Sequence, residues 1–417
     1  MADMFDNKTS FKEVIYFPSF SGHYGYYVKN KNLIDNINYR FYQEDSIGDD
    51  PKWLHKFFLL SAGILYKKMD VRDAMGLDRD KGNLVMGDSG GHQICVGTLK
   101  WSVDLRDTIF NWLENNSDVA INIDIPPRDQ YEGKFQEALD FSYDNFKWFN
   151  EHQTGRTQFL NVIQGNESEE YVHWYNKVKG FDFNGWSVGG GFFSLTRMMF
   201  ALATLLQNRE FENKKNKWLH FLGQTKVREF FIYNYVTKWF NEVGLDHVNV
   251  MTDSSTPIQL SVWGNSVYSP NLENLNYRLM YYPKSVFNKL SVEDCKKMPF
   301  PSYVQTNISK AITMADIRGL GDKIYDTRAQ HLLTHHNLCM FKHMMWEIRQ
   351  LSHLELGLLE PLIGDKDFIK VLSSIRDMIY NPDDALKIAR KYRALYDTYS
   401  QKEVYSPDNS LMDEFFE

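Results

Sequence analysis

Cysteine is scarce in this chain: Cys95, Cys295 and Cys339 are the only three in 417 residues. They are too few and too scattered for a disulfide framework, which fits a reducing compartment. Long apolar runs are missing as well. No stretch approaches the roughly 20 apolar residues that a membrane-spanning helix needs, so no membrane association is expected. The opening residues Met1-Ala2-Asp3-Met4-Phe5-Asp6 carry neither a positive lead nor an apolar core, and no signal peptide is readable there. An excess of basic charge is also absent. A formal net charge of −7 excludes a histone-like polycation but leaves local basic patches open. These absences together lead us to expect a cytoplasmic protein.

What is present is ordinary globular material, 43% hydrophobic and 24% charged. A chain of this length can bury a large core, as one barrel-sized domain with an appendage or as two domains. Short apolar runs at 14–17, 57–60, 84–86, 119–123, 159–163, 186–188, 218–222 and 248–251 read as eight strands. Amphipathic stretches between several of them, at 131–150, 168–178, 195–207 and 226–243, read as helices. Repeated strand-then-helix units imply parallel strands joined by right-handed crossovers, and eight of them match a (β/α)8 barrel.

Asp88, Asp124, Gln164, Gly189-Gly190, Gly223 and Asp253 each fall at the C-terminal end of one of these strands. Successive gaps, counted from Gly190, are 36, 40, 26, 33 and 30 residues, about one βα unit each. In a barrel such positions converge on the rim that carries the active site. Each alone reads as a turn or loop residue, and Asp253-Ser254-Ser255 as a helix cap. Their joint order and spacing point to one site. The barrel is expected over 1–261. An insertion rich in Asn, Tyr and Pro follows at 262–330, then a closing helix region at 331–360 and a C-terminal helical extension at 361–417 with an acidic tail.

Gly87-Asp88-Ser89-Gly90-Gly91 spells the nucleophile loop of trypsin-like proteases, with Ser89 as nucleophile. Chain order rejects that reading, because two β-barrels with their His and Asp must precede the serine and only 87 residues precede Asp88.

Extended to Gln93, the motif Asp88-Ser89-Gly90-Gly91-His92-Gln93 resembles the guanine pocket of the tRNA-guanine transglycosylases. The likeness runs through Ile123-Asp124-Ile125-Pro126-Pro127, Ile163-Gln164-Gly165, Val188-Gly189-Gly190, Phe221-Leu222-Gly223 and Asp253-Ser254-Ser255-Thr256-Pro257. It returns at 334–348, so it covers roughly half of the chain. Within that family the chain looks most like the DNA-modifying branch of phages and genomic islands, the DpdA-type enzymes.

The resemblance implies a TIM barrel that swaps guanine in a nucleic acid for a 7-deazaguanine. It makes Asp253 the nucleophile and Asp88 the general acid/base. Ser89, Gly90, Gly91, His92, Asp124, Gln164, Gly189 and Gly190 become base-binding residues. His92 stands where the family stacks Phe or Tyr.

Three departures from the pattern narrow the expectation. The family's structural zinc would need thiolates where Phe300, Ser302 and Gln305 stand; only the His of His336-Asn337-Leu338 remains. No cofactor is therefore expected, and His331, His335, Cys339 and His343, four apart on one helical face, read as a core-facing stripe rather than a metal site. Gln259 occupies the place of the Arg that follows the nucleophile in tRNA enzymes. These losses favour DNA as partner, with tRNA as the alternative. In the family's tRNA enzymes Gly-Gly-Leu is followed, four residues past the Leu, by a glutamate that supports recognition of an aminomethyl group; here those two positions are Gly191 and Leu195. The incoming free base is then expected to be 7-cyano-7-deazaguanine (preQ0). The composition suits a phage gene, which would place the protein in a host cytoplasm with an anti-restriction role. Lys387, Arg390, Lys391 and Arg393 are the candidate nucleic-acid grip, and a homodimer is admitted. A catalytically silent nucleic-acid-binding subunit is the reading from another class; the presence of both Asp88 and Asp253 argues against it.

Overall fold

The computed structural model describes residues 13–20, 53–189, 194–223, 225–282, 289–318 and 327–400. Eight parallel strands form its centre: β1 (Ile15–Pro18), β2 (Phe57–Ser61), β3 (Leu84–Asp88), β4 (Val119–Ile121), β5 (Gln158–Ile163), β6 (Gly185–Val188), β7 (Trp218–Phe221) and β8 (Asn249–Ser254). Their order is β1-β8-β7-β6-β5-β4-β3-β2, every neighbouring pair parallel. A parallel bridge between Ser19 and Leu59 joins the two ends of this sheet just past β1. The result is a TIM-like (β/α)8 barrel. Its strands read as apolar runs because both faces are covered, one by the barrel interior and one by helices.

The outer helices are α1 (Val103–Asn116), α2 (Phe135–His152), α3 (Ser168–Val178), α4 (Leu195–Gln207) and α5 (Val227–Glu242). Ser102 and Ser194 start α1 and α4 by accepting a backbone N–H with their side-chain oxygens, as good N-caps do. Amphipathic α2 and α3 present one face to the barrel. Almost every residue of α4 and α5 is buried instead, because each has a second layer outside it. Over α4 lie α10 (Ala385–Lys391) and α11 (Arg393–Thr398); over α5 lie α7 (Thr327–Ser352) and α9 (Lys366–Tyr380), with α8 (Leu356–Ile363) beside α9. A helix apolar on all sides needs such a second cover.

After β8 the short helix α6 (Thr256–Val262) leads into an antiparallel hairpin, β9 (Asn265–Asn271) and β10 (Asn276–Tyr281). Short helices at Val292–Lys297, Asn307–Ala311 and Met314–Ile317 complete the described part of the insertion. Asn337 on α7 ties the hairpin to the barrel. Its oxygen accepts Val267 N–H at 2.8 Å, and its amide donates to Pro257 O at 3.1 Å and Asn265 O at 3.2 Å. His336 beside it lies 3.0 Å from Val267 O through Nε2.

Phe300 packs its ring edge-on against His336 at 4.7 Å, Ser302 donates to Val304 O, and Gln305 is exposed. Phe300 and Ser302 thus make an apolar and backbone-bonded joint beside α7. His331, His335 and Cys339 are buried, and His343 lies at the edge of the stripe beside Glu347. All three cysteines are buried and free. Among the described residues no helix is long and apolar enough to cross a membrane, and no group of three or more His, Cys, Asp or Glu could hold a metal.

The opposite end of the barrel holds a buried ion pair. Arg72 donates to Asp118 Oδ2 at 2.7 Å and to the carbonyls of Asn83 and Leu77, while Val85 N–H and Arg79 also donate to Asp118. Breaking a buried pair strands a charge. Asp118→Asn should therefore cost about 3–5 kcal/mol of folding stability. Urea denaturation measures it, and a loss below about 1 kcal/mol, the worth of an exposed pair, would mean that Arg72 finds compensation elsewhere.

Candidate active site

The cavity at the C-terminal rim has a volume of about 810 Å³. Asp88, Gly91, His92, Asp124, Gln164, Gly223 and Asp253 all line it. Five strand ends, those of β3, β4, β5, β7 and β8, thus contribute groups named from the sequence.

Asp88 ends β3, directly beside Ser61 at the end of β2. Ser61 donates to its Oδ2 at 2.7 Å and Gly90 N–H to its Oδ1 at 3.1 Å. Burial pushes the Asp88 carboxyl above the usual carboxylate range; these two bonds pull it down, and the charge of Asp253 pushes it up further. A carboxylic acid that holds its proton near working pH can protonate a leaving group. Asp124 lies three residues past β4, where Gln164 donates to its Oδ2 at 2.6 Å. Burial, then the nearby Asp88, raise it to about 6 against the opposing bond from Gln164. The carbonyl oxygen of Gln164 is buried without a hydrogen-bond partner among the described residues. An acceptor and a carboxylate side by side on a cavity wall suit a ligand edge that carries donors.

Two glycines permit this arrangement. A Cβ on Gly91 would stand 2.0 Å from Asp124 O, and one on Gly189 would stand 2.1 Å from the Gln164 amide nitrogen. Gly189 therefore acts from behind Gln164, not on the cavity wall. Gly90 takes a left-handed turn at φ 86° before the short helix Gly91–Cys95 and packs on Gly63. Gly190 and Gly191 lie outside the described residues. Ser89 is placed differently from the expectation of a base contact. Its side chain is buried and donates to Asn122 O at 2.9 Å, off the cavity wall. That geometry also leaves it unsuited to attack a peptide. His92 is exposed at the rim, with Nδ1 3.4 Å from the Arg128 guanidinium. Partial burial and that cation hold its imidazole below the usual range.

Asp253 lies within β8 and has Gly223 N–H on its Oδ1 at 3.0 Å. It does not cap a helix. Sequence reasoning missed Ser61 and His220, whose Nε2 lies 3.0 Å from the same Oδ1. The signal for His220 was visible as a lone imidazole within the apolar run Trp218–Phe221. It also missed the adjacent buried pair Arg228–Glu229, 2.7 Å apart on the cavity wall at the start of α5.

The proposed grip at the C terminus is occupied by carboxylates. Arg390 pairs with Glu169 at 2.9 Å, Arg393 with Glu167 at 2.6 Å, and Lys387 lies 3.4 Å from Asp384. Lys391 stands over the Tyr392 ring. Two of these cations fasten α10 and α11 to the start of α3, so the run is not a patch of unopposed positive charge.

Burying Asp124 has a linked consequence for stability. Its folded-state value of about 6 exceeds the unfolded value of about 3.9, so the fold prefers the protonated form. The resulting advantage is full below about pH 4 and is lost as pH rises through 6. Asp124→Asn keeps the shape and removes the charge. It should be more stable than wild type by about 3 kcal/mol at most above pH 7, with no gain at pH 4. Thermal melts across that range are the check; a gain that grows toward acid would contradict the assignment.

No protein-family model matches this chain, and no curated protein matches it.

Proposed function

We propose that this protein is a base-exchange transglycosylase, which replaces guanine in DNA by a free 7-deazaguanine through a covalent aspartyl–sugar intermediate. Its main support is the convergence of Asp88, Asp124 and Asp253 on one cavity from three different strands, each in a different environment. Two carboxylates with separate tasks are what a retaining exchange at an anomeric carbon requires. An Asp253 carboxylate oxygen forms a bond to C1′ as the bond from C1′ to N9 breaks. Asp88, whose pKa burial raises, acts as the acid and gives its proton to the departing guanine. The incoming base then loses its N9 proton to Asp88 and attacks C1′, which releases Asp253. Asp124 accepts from the N1–H and amino edge of the base, and Gln164, whose amide N–H is on Asp124, offers its unpaired carbonyl oxygen to a donor of the same edge. The rim ring of His92 covers the base.

A base inside a nucleic acid must leave its stack to reach this cavity. DNA is favoured over tRNA by Gln259, which lines the cavity where the tRNA enzymes of the family that the chain resembles carry Arg. The absence of a carboxylate at Leu195, buried at the start of α4, favours the neutral cyano substituent on the incoming base.

The test incubates the protein with 7-cyano-7-deazaguanine and, separately, single-stranded DNA, duplex DNA and tRNA, followed by digestion to nucleosides and mass spectrometry. Modified deoxynucleoside is expected. Modified ribonucleoside from tRNA alone would move the activity to tRNA. Release of free guanine with no incorporated base would make the protein a hydrolase, and no product from any substrate would reject base exchange.

A further inference from the structure

The imidazole of His220 is fully buried inside the barrel, yet one of its nitrogens is at the carboxylate that lines the cavity. We infer that His220 is the positioning residue of Asp253, held in one tautomer by Ser187, and that it turns a defined carboxylate oxygen toward the substrate. This inference rests on the base-exchange reading for the role of that oxygen.

Three adjacent strands carry the chain of contacts. Ser187 on β6 lies 3.1 Å from His220 Nδ1, and His220 Nε2 on β7 lies 3.0 Å from Asp253 Oδ1 on β8. Ser187 and His220 are both at 0% exposure, shut off from bulk solvent. A carboxylate accepts and cannot donate, which assigns the Nε2 proton to the side of Asp253. Nδ1 is then an acceptor, and the single proton of Ser187 Oγ serves it. Nε2 and Oδ1 are in contact at 3.0 Å without the geometry of a formed hydrogen bond; catalytic hydrogen bonds are often poorly aligned until a substrate tightens the site.

Gly223 N–H reaches the same oxygen at 3.0 Å. Gly223 N–H thus bonds Oδ1 and His220 Nε2 stands against it, so Oδ2 is the oxygen that neither holds. A nucleophile gains from being presented in one orientation, since a misplacement of about 1 Å can cost 100-fold in rate. A histidine that only filled space would be replaceable by an apolar ring. One that positions Asp253 would not, and its loss would be read in turnover rather than in base affinity.

Two measurements separate the contact from its role. Nitrogen-15 spectra of histidine-labelled protein, assigned with His220→Gln, should show His220 as the Nε2–H tautomer. Ser187→Ala should convert it to a tautomer mixture, and Asp253→Asn should shift its resonances. The Nδ1–H tautomer in wild type, or no response to either variant, would overturn the contact.

For the role, the rate of covalent protein–DNA adduct formation should fall about 100-fold in His220→Phe, with KM for the free base unchanged. His220→Gln, which returns an N–H donor, should recover about tenfold of that loss. Ser187→Ala, which leaves the imidazole in place, should lose activity by a smaller factor in the same direction. Wild-type turnover in folded His220→Phe, or equal losses in the Phe and Gln variants, would overturn positioning. If wild-type protein shows the tautomer chain but exchanges no base, the base-exchange reading fails and takes the role of Oδ2 with it, while the contact stands.

Discussion

Asp253→Asn should abolish base exchange and leave the protein folded. A carboxylate that forms a bond to the sugar cannot be replaced by an amide, and removal of such a nucleophile costs about 10⁴-fold or more in turnover. The fold survives for a local reason. The amide of the variant would present its oxygen to Gly223 N–H, which now bonds Asp253 Oδ1, and to His220 Nε2 beside it. Stability within about 1 kcal/mol of wild type is therefore expected by urea denaturation. Exchange of labelled guanine into DNA reads the activity, and trapping after denaturation reads the covalent adduct. Turnover near wild type in Asp253→Asn would remove Asp253 from the mechanism, whereas a lost fold would leave Asp253→Glu, one methylene longer, to separate chemistry from packing.

The barrel was legible because buried parallel strands leave a simple trace. All eight runs expected as strands are strands, with no boundary moved by more than three residues. α3 and α4 fall at the expected residues, since each starts at a residue suited to the helix N-terminus and ends where the apolar period stops. The hairpin of β9 and β10 was not legible. Its strands are rich in Asn, Ser and Tyr, and Asn337, some 70 residues away, satisfies the backbone that binds it to the barrel.

The site shows the same division. Asp88, Asp124, Gln164 and Asp253 could be found by counting along strand ends. That count does not reach their partners: Ser61 meets Asp88 through strand register, and Ser187 and His220 lie inside apolar runs, where the lone imidazole is the one trace. Distance in sequence also hid the state of the C-terminal cations. Arg390 and Arg393 read as a basic helix until Glu167 and Glu169, more than 200 residues upstream, are brought beside them.

Asp88 and Ser89 are neighbours in sequence with opposite destinations, and the second large effect follows from that. Asp88 faces the cavity as a carboxyl whose pKa burial raises above the usual carboxylate range. Ser89 turns into the core, onto Asn122 O. Asp88→Asn should lose about 10²–10⁴-fold in turnover, the contribution of a positioned acid and base. Ser89→Ala should cost about 1 kcal/mol of stability, the worth of one hydrogen bond, and keep its turnover.

The pH dependence adds an independent sign. If Asp88 must begin protonated, kcat/KM falls as pH rises through its elevated pKa, and Asp88→Asn loses that limb. Asp124 acts in the other direction. Protonation as pH falls below about 6 removes its charge and turns one accepting oxygen into a donor, so KM for the free base rises about tenfold per pH unit on that side. An amide in place of the Asp124 carboxylate should abolish this acid limb while leaving the Asp88 limb in place. Peptide hydrolysis that vanishes in Ser89→Ala, or an acid limb that persists in Asp124→Asn, would mean that these carboxyls do not hold the roles that their surroundings fit them for.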